Sequence, residues 1–227
     1  MPPVGGDGAG VDCGPAGPFA LFPMLKAPTT VSQAADALAV VPHPHPALRT
    51  KAKPVGEINA ALRRAVAEMF ELMYATDGVG LAAPQVARPW RLFVCNPTGE
   101  ADEKDQERVF VNPEIVARTG SDTNEEGCLS LPDVFGDVRR AERITVEAFD
   151  LNGNLFELDL DDLPARVVLH EHDHLDGVMF PARMTATERR KIDAKLADFE
   201  HDFRRAQKAG EIEGDRALLA KMEAYRL

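Results

Sequence analysis

Residues 167–174 read VVLHEHDH, with three apolar residues ahead of His170 and another histidine, His174, four positions beyond it. Successive residues of an α-helix are rotated by about 100°, so side chains four apart share a face. Two neutral imidazoles at this spacing can bind one divalent metal ion. Glu171 lies beside the first of them, near enough to contact a metal-bound water. His172 is predicted to point away, as a surface or packing residue.

The third metal ligand decides the class of enzyme, because a catalytic ion usually has three protein ligands and one open position. In the extended zinc-protease motif this ligand is a histidine where this chain has Phe180, which argues against that class. Glu188 and Glu200 are alternatives, but both fall on a helix that is predicted to be solvated. Cys128, in the segment EGCLS at 126–130, is the better candidate, since a thiolate is a good ligand for Zn or Fe(II).

The surrounding sequence alternates unevenly between helix and strand patterns, which predicts an α+β fold. A hairpin turn is predicted at Asn152-Gly153. Helices are predicted at residues 57–75, 161–175, 185–210 and 215–225. Strands are predicted at residues 91–95, 109–111, 115–118, 144–149 and 155–158.

Charge and cysteine content exclude several kinds of protein. The formal net charge of -11 argues against broad binding to nucleic acid or to anionic membranes, which requires clustered Lys and Arg. Cys13, Cys95 and Cys128 are odd in number and widely spaced, which favours a reducing, cytoplasmic location. Neither a transmembrane run of about 18 apolar residues nor a secretory signal is predicted.

Three motifs together resemble those of the peptide deformylase family. They are a G-x-G-x-A-A-x-Q turn at 78–85, an E-G-C-x-S strand at 126–130 and an H-E-x-x-H helix at 170–174, in the family's order. The resemblance extends from about Val40 to Met184. It implies antiparallel β-strands packed around a central H-E-x-x-H helix, with a C-terminal helix.

The resemblance divides the chain into three regions. Residues 39–184 would form the deformylase-like catalytic domain, and residues 185–227 a C-terminal helical extension. Residues 1–38 are rich in Gly and Pro. They are expected to be a disordered or loosely docked N-terminal extension, because such a segment buries too little apolar surface to offset its ordering entropy.

The activity that the resemblance implies is removal of the formyl group from the N-terminal formyl-methionine of newly made polypeptides. Cys128, His170 and His174 would bind one divalent ion, with Fe(II) as the first choice and Zn, Ni or Co as substitutes. A metal-bound hydroxide would attack the formyl carbon. Glu171 would act as general base and then as general acid.

Several residues would contact the substrate, as the resemblance implies. The Gln85 amide and the backbone N–H of Leu129 would stabilise the oxyanion. The peptide would pair with a backbone edge by strand addition, and a pocket bordered in part by His170 would hold its methionine side chain. The substrate-binding positions carried over in this way are Val79, Gly80, Gly127, Leu163, Arg166 and Val167.

The chain departs from the family pattern at Phe135, where many relatives carry an arginine that contacts the peptide backbone. We therefore predict a weaker dependence on peptide length than in those relatives. The expected partners are formyl-methionyl nascent peptides, and the protein is expected to be a monomer. The ribosome exit region is a further candidate partner of the C-terminal helix, although a solvated helix packed on the core is the first expectation.

Two other kinds of protein are alternatives at this stage. One is a zinc metallopeptidase of another class, against which Phe180 speaks. The other is a non-catalytic, deformylase-like peptide-binding protein. Such a protein is expected to have lost Glu171, Gln85 or a metal ligand, and this sequence has lost none of them.

Overall fold

The computed structural model describes residues 37–226. The N-terminal extension predicted at 1–38 therefore lies outside the described residues, except for its last two positions. Within the described range, no helix combines the length and apolarity that a membrane crossing requires.

Four α-helices and seven β-strands form the described part of the chain, and they confirm the predicted α+β class. The helices are α1 (Ala60–Ala75), α2 (Asp162–Leu175), α3 (Ala186–Ala209) and α4 (Asp215–Glu223). The strands are β1 (Gly80–Ala82), β2 (Leu92–Cys95), β3 (Arg108–Thr119), β4 (Asp122–Cys128), β5 (Leu131–Arg140), β6 (Arg143–Phe149) and β7 (Leu155–Asp161). Short 3-10 helices lie at Pro46–Arg49, Ala83–Val86, Lys104–Gln106 and Phe180–Ala182.

The strands form two antiparallel sheets. The larger has the order β1-β2-β3-β6-β7, and β4 pairs with β5 in a separate hairpin. The two strands predicted between residues 109 and 118 are one strand, β3, with register shifts between Val111 and Glu114 and between Ile115 and Ala117. Such β-bulges interrupt the alternation of side chains, which explains why the sequence suggested two strands.

Strand β2 is buried on both faces and lies between the two helices that pack on the sheet. Leu92 and Val94 contact the core cluster that includes α1. Phe93 and Cys95 contact the cluster that includes the apolar side of α2. Helix α2 is therefore central, as predicted. A third cluster joins the β4–β5 hairpin to residues of α3.

The C-terminal helices begin and end where local signals direct them. The Thr185 side chain accepts a hydrogen bond from the backbone N–H of Glu188, which caps α3. Gly210 ends the helix with φ 78°, a left-handed conformation that glycine adopts without strain. Helix α4 then folds back, and the Trp90 indole N–H donates to the Tyr225 carbonyl over 2.6 Å.

Candidate active site

Three potential metal-ligand atoms meet at the end of β4. Cys128, His170 and His174 are all buried, and one ligand atom of each lies within 4.8 Å of the others. Cys128 Sγ is 3.4 Å from His174 Nε2. The two imidazole rings lie 5.0 Å apart, as their four-residue spacing on α2 predicts. The cluster is thus built from two elements that are distant in the sequence.

Helix α2 buries ionisable side chains that an ordinary core would exclude. Every residue from Ala165 to Leu175 is buried, including the whole run His170–His174. Charged side chains are rarely buried unless they are paired or bind a metal. The composition of this helix therefore indicates function rather than packing alone.

Glu126 orients the first histidine. Its Oε2 atom lies 3.0 Å from His170 Nδ1. Because an ionised carboxylate only accepts hydrogen bonds, Nδ1 carries a proton, and Nε2 is the ring nitrogen left to face the cluster. Burial alone would raise the pKa of Glu126, but hydrogen bonds from His170 and Arg140 hold that pKa well below its ordinary value.

The electrostatics of the cluster suit a bound cation. Burial alone would lower the pKa of His170, yet hydrogen bonds and charges from Cys128 and Glu126 raise it to about 10. Burial, together with the charges of His170 and Arg140, lowers the pKa of His174 well below its ordinary value. The site thus favours positive charge on His170, beside the Cys128 thiol, and it keeps His174 neutral with a free lone pair. A divalent ion fits this donor set.

Glu171 lies against the backbone of β1. A Cβ atom on Gly80 would stand 2.6 Å from Glu171 Oε1, so a side chain at this position would displace the carboxylate. Glu171 Oε2 has no hydrogen-bond partner within residues 37–226. Burial raises the pKa of Glu171 to about 7, against the opposing charges of His170 and Arg140. A carboxyl group with such a pKa can accept and return protons near neutral pH.

The Gln85 amide has a fixed orientation. Its Oε1 atom accepts a hydrogen bond of 2.8 Å from the Ala82 backbone N–H. Its Nε2 group therefore faces the cluster, 3.4 Å from Cys128 Sγ. Leu129, between β4 and β5, packs so closely on the glycine turn that a Cβ atom on Gly78 would lie 2.8 Å from Leu129 Cδ1. The first two motifs are thus in direct contact.

Two hydrogen bonds from the lead-in chain, residues 37–45, connect it to these motifs. The backbone N–H of Val41 donates to the Gln85 carbonyl, and that of His43 donates to the Ser130 carbonyl, each over 2.8 Å. Both acceptors adjoin or belong to the site. The segment ahead of the first 3-10 helix is therefore part of the framework that positions Gln85 and Cys128.

The predicted substrate-binding residues lie on or beside three elements, β1, β4 and α2. Val79 and Gly80 are at β1, an edge strand of the larger sheet, and Gly127 is buried in β4. Val167 and the partly buried Leu163 belong to the core cluster around α2.

Arg166 also contributes to the framework of the hairpin. It is buried, and its guanidinium donates to Glu126 Oε1 over 2.7 Å and to the Val138 carbonyl over 3.0 Å. Its charged end is therefore committed to the β4–β5 hairpin.

Sequence reasoning missed the charged residues that support the ligands. Arg140 donates to both oxygens of Glu126 and to Asp173 Oδ2. Asp173 lies inside the H-E-x-x-H run, and a charged residue on a buried helix was the signal that could have drawn attention to it. His172 is buried, and its Nε2 atom lies 2.9 Å from Arg91 Nη2.

Comparisons with known proteins agree with this geometry. The family model described as polypeptide deformylase matches residues 37–190. A peptide deformylase of Rhodopirellula baltica is 44% identical over 187 residues, which cover 82% of this chain and 92% of the relative. The chloroplastic peptide deformylase 1B of Solanum lycopersicum is 45% identical over 167 residues, covering 73% of this chain and 60% of the relative.

Solved structures give the same result. A plant peptide deformylase of type 1B superposes with a TM-score of 0.73 at 39% identity, covering 79% of this chain and 97% of the other. A peptide deformylase of Plasmodium falciparum superposes with a TM-score of 0.72 at 35% identity, covering 77% of this chain and 100% of the other. A fold of this kind around a buried Cys-His-His cluster defines a metal-dependent hydrolase. The chain belongs to the polypeptide deformylase family, whose function is the deformylation of nascent peptides.

Proposed function

We propose that this chain hydrolyses the formyl group of formyl-methionyl peptides at a single divalent ion held by Cys128, His170 and His174. The observation that carries the proposal is the convergence of these three buried ligand atoms within 4.8 Å, beside a Glu171 oxygen that has no hydrogen-bond partner among the described residues. When bound, the ion supplies Lewis-acid activation of the water and of the formyl carbonyl.

Glu171 moves the proton. Its free Oε2 atom accepts a proton from the attacking water and delivers it to the departing amine nitrogen. Burial raises the pKa of this carboxyl to about 7, which keeps both protonation states accessible at cellular pH. Formate and a free peptide N-terminus are the products.

Gln85 and Leu129 stabilise the oxyanion that develops on the formyl oxygen. The hydrogen bond from Ala82 to Gln85 Oε1 leaves the Nε2 donors aimed at the cluster without any change of rotamer. The backbone N–H of Leu129 supplies a second donor from the end of β4. Donors that are fixed before the reaction lower the barrier because no reorganisation is needed.

The peptide pairs with the free edge of β1 at Val79 and Gly80, and Gly127 contacts it from β4. Leu163 and Val167 provide apolar walls for the methionine side chain. Arg166 borders this pocket through its methylene groups, since its guanidinium is bound to Glu126. An aliphatic pocket suits the long, flexible methionine side chain.

Fe(II) is proposed as the physiological ion, with Zn, Ni or Co as replacements, because one thiolate and two imidazoles suit each of them. The enzyme is proposed to act as a monomer in the cytoplasm, where its odd set of cysteines would stay reduced. Residues 39–184 are proposed as the catalytic domain, and residues 185–227 as an extension. The ribosome exit region is a candidate partner of the exposed face of α3.

The experiment that tests the proposal starts with anaerobic purification and metal analysis. Formate release from formyl-Met-Ala-Ser is then measured for the wild type and for Glu171→Gln, whose side chain has nearly the same shape. We expect about one ion per chain in both proteins, with formate release in the wild type alone. A wild type that binds metal but releases no formate would favour a peptide-binding protein, and cleavage of internal peptide bonds would favour another peptidase. A wild type without metal would overturn the proposal.

A further inference from the structure

Four charged side chains lie in series behind the metal ligand His170. Arg140 forms a forked contact with Glu126, Nε to Oε1 over 2.5 Å and Nη2 to Oε2 over 2.8 Å. The third nitrogen of the same guanidinium, Nη1, donates to Asp173 Oδ2 over 2.8 Å. All three of these side chains are buried, so each contact is formed in a medium of low dielectric constant.

The outermost member of the series is Arg183, which lies in the turn between α2 and α3. Its Nε atom donates to Asp173 Oδ2 over 3.0 Å, and its Nη2 atom donates to Asp173 Oδ1 over 2.6 Å. The Arg183 side chain is 48% exposed, whereas that of Asp173 is 9% exposed. A surface residue is thus connected to the group that orients His170 by two forked ion pairs with a single Arg140–Asp173 hydrogen bond between them.

We propose that Arg183 is a positioning residue for the metal centre, acting through Asp173, Arg140 and Glu126 on the orientation of His170. This inference rests on the metal site proposed above. It concerns the geometry and retention of the ion, and Arg183 itself does not touch the substrate or the ligands.

The reason lies in how Arg140 is shared between two carboxylates. While Arg183 neutralises Asp173, Arg140 can align its fork with Glu126, and Glu126 keeps its Oε2 atom on His170 Nδ1. Without Arg183, Asp173 is a buried carboxylate with a single cationic partner and attracts Arg140 more strongly. The fork on Glu126 then loosens, and the ring of His170 is held less firmly.

The test compares Arg183→Gln with Arg189→Gln in the full-length, metal-loaded protein. Arg189 is a matched control, because it also lies near the α2–α3 turn, has a side chain that is 41% exposed, and pairs with the surface residue Asp193. The two readouts are the rate at which a chelator removes Ni(II) and the visible spectrum of the Co(II)-substituted protein.

We expect Arg183→Gln to lose Ni(II) about tenfold faster than the wild type, the lower end of the range for residues that support metal ligands. Its Co(II) absorption bands should shift, because the position of a ligand ring changes. Arg189→Gln should match the wild type in both readouts. Arg183→Lys keeps the charge but loses the fork, and should lie between the wild type and Arg183→Gln.

A second comparison tests whether the effect of Arg183 reaches His170 through Glu126. On a Glu126→Gln background, Arg183→Gln should cause no further acceleration, since Arg140 no longer has a carboxylate at position 126 to align. An Arg183→Gln protein with the metal retention and Co(II) spectrum of the wild type would overturn the inference, as would an equal effect of Arg189→Gln. Failure of the wild type to bind any ion would instead overturn the proposed metal site.

Discussion

Glu171 Oε1 occupies the space that a side chain at Gly80 would need, 2.6 Å from the ideal Cβ position. Because β1 and α2 are both fixed by the core, Gly80→Ala must displace the carboxylate. Displacement by about 1 Å of a catalytic group can cost about a hundredfold in rate, and we expect a loss of this size in formate release with metal content unchanged. Gly214→Ala is the control, since no atom of residues 37–226 lies within 4 Å of its Cβ position. Equal activity of the two variants would contradict the assigned role of Gly80.

Removal of the Gln85 amide should slow the reaction more than it weakens substrate binding. We expect Gln85→Leu to lower kcat by about a hundred- to a thousandfold, as loss of an oxyanion donor does, while KM changes little. Steady-state kinetics on formyl-Met-Ala-Ser measure both constants, and the exposed residue Gln106 provides the control variant Gln106→Leu. A rise in KM at constant kcat would show that Gln85 binds the substrate uniformly instead.

Stability should fall in mild acid because of His45. Burial lowers the pKa of His45 to about 4, whereas the unfolded chain protonates this group near its ordinary value of about 6.5. The contribution of the neutral imidazole is therefore fully present above pH 6.5, and it is lost as the pH falls from 6.5 towards 4. The loss is at most on the order of 3 kcal/mol.

Urea unfolding of wild type and His45→Asn between pH 7 and pH 4 measures this effect. Asparagine retains the ability to cap the 3-10 helix but does not titrate, so the variant should lose less stability over this range. His201→Asn, on the exposed face of α3, should behave like the wild type. Parallel curves for wild type and His45→Asn would contradict the prediction.

The dependence on peptide length should be weak because of Phe135. Addition of a third residue to a formylated dipeptide should raise kcat/KM less than about threefold in the wild type. In Phe135→Arg the gain should reach about tenfold, as expected for a hydrogen bond from a charged donor. Val116→Arg adds the same charge at an exposed position of β3. In this variant the gain in kcat/KM from the third residue should equal that of the wild type. A large gain already present in the wild type would count against this prediction.

The sequence alone predicted the features that depend on residues close together in the chain or on a distinctive motif. Four-residue spacing on one helix placed His170 with His174, and thiolate chemistry made Cys128 the third candidate, which the family resemblance supported. The α3 helix follows from the spacing of its apolar residues and from its capping residue Thr185. Each of these features depends on residues close together in the chain, or on a motif whose composition is unusual.

The structure was needed for features that depend on long-range pairing. Strand β5 was not predicted, and β4 was predicted only at its end, because β4 is rich in Asp, Asn and Glu and β5 contains Pro132 and Gly136, residue types that are depleted in strands. The meeting of Arg140 with Asp173 depends on how the hairpin lies across α2. Nothing in the sequence near either residue indicates that the two residues are in contact.

The lead-in chain gives the enzyme a definite limit to N-terminal trimming. Val41 and His43 each contribute a backbone hydrogen bond to the motif segments, so a protease that cuts ahead of Val40 leaves both bonds intact. A cut only a few residues further on would release the carbonyls of Gln85 and Ser130 and loosen the support of the site. An enzyme that acts on the first residue of other proteins is therefore itself sensitive to a cut a few residues beyond Val40.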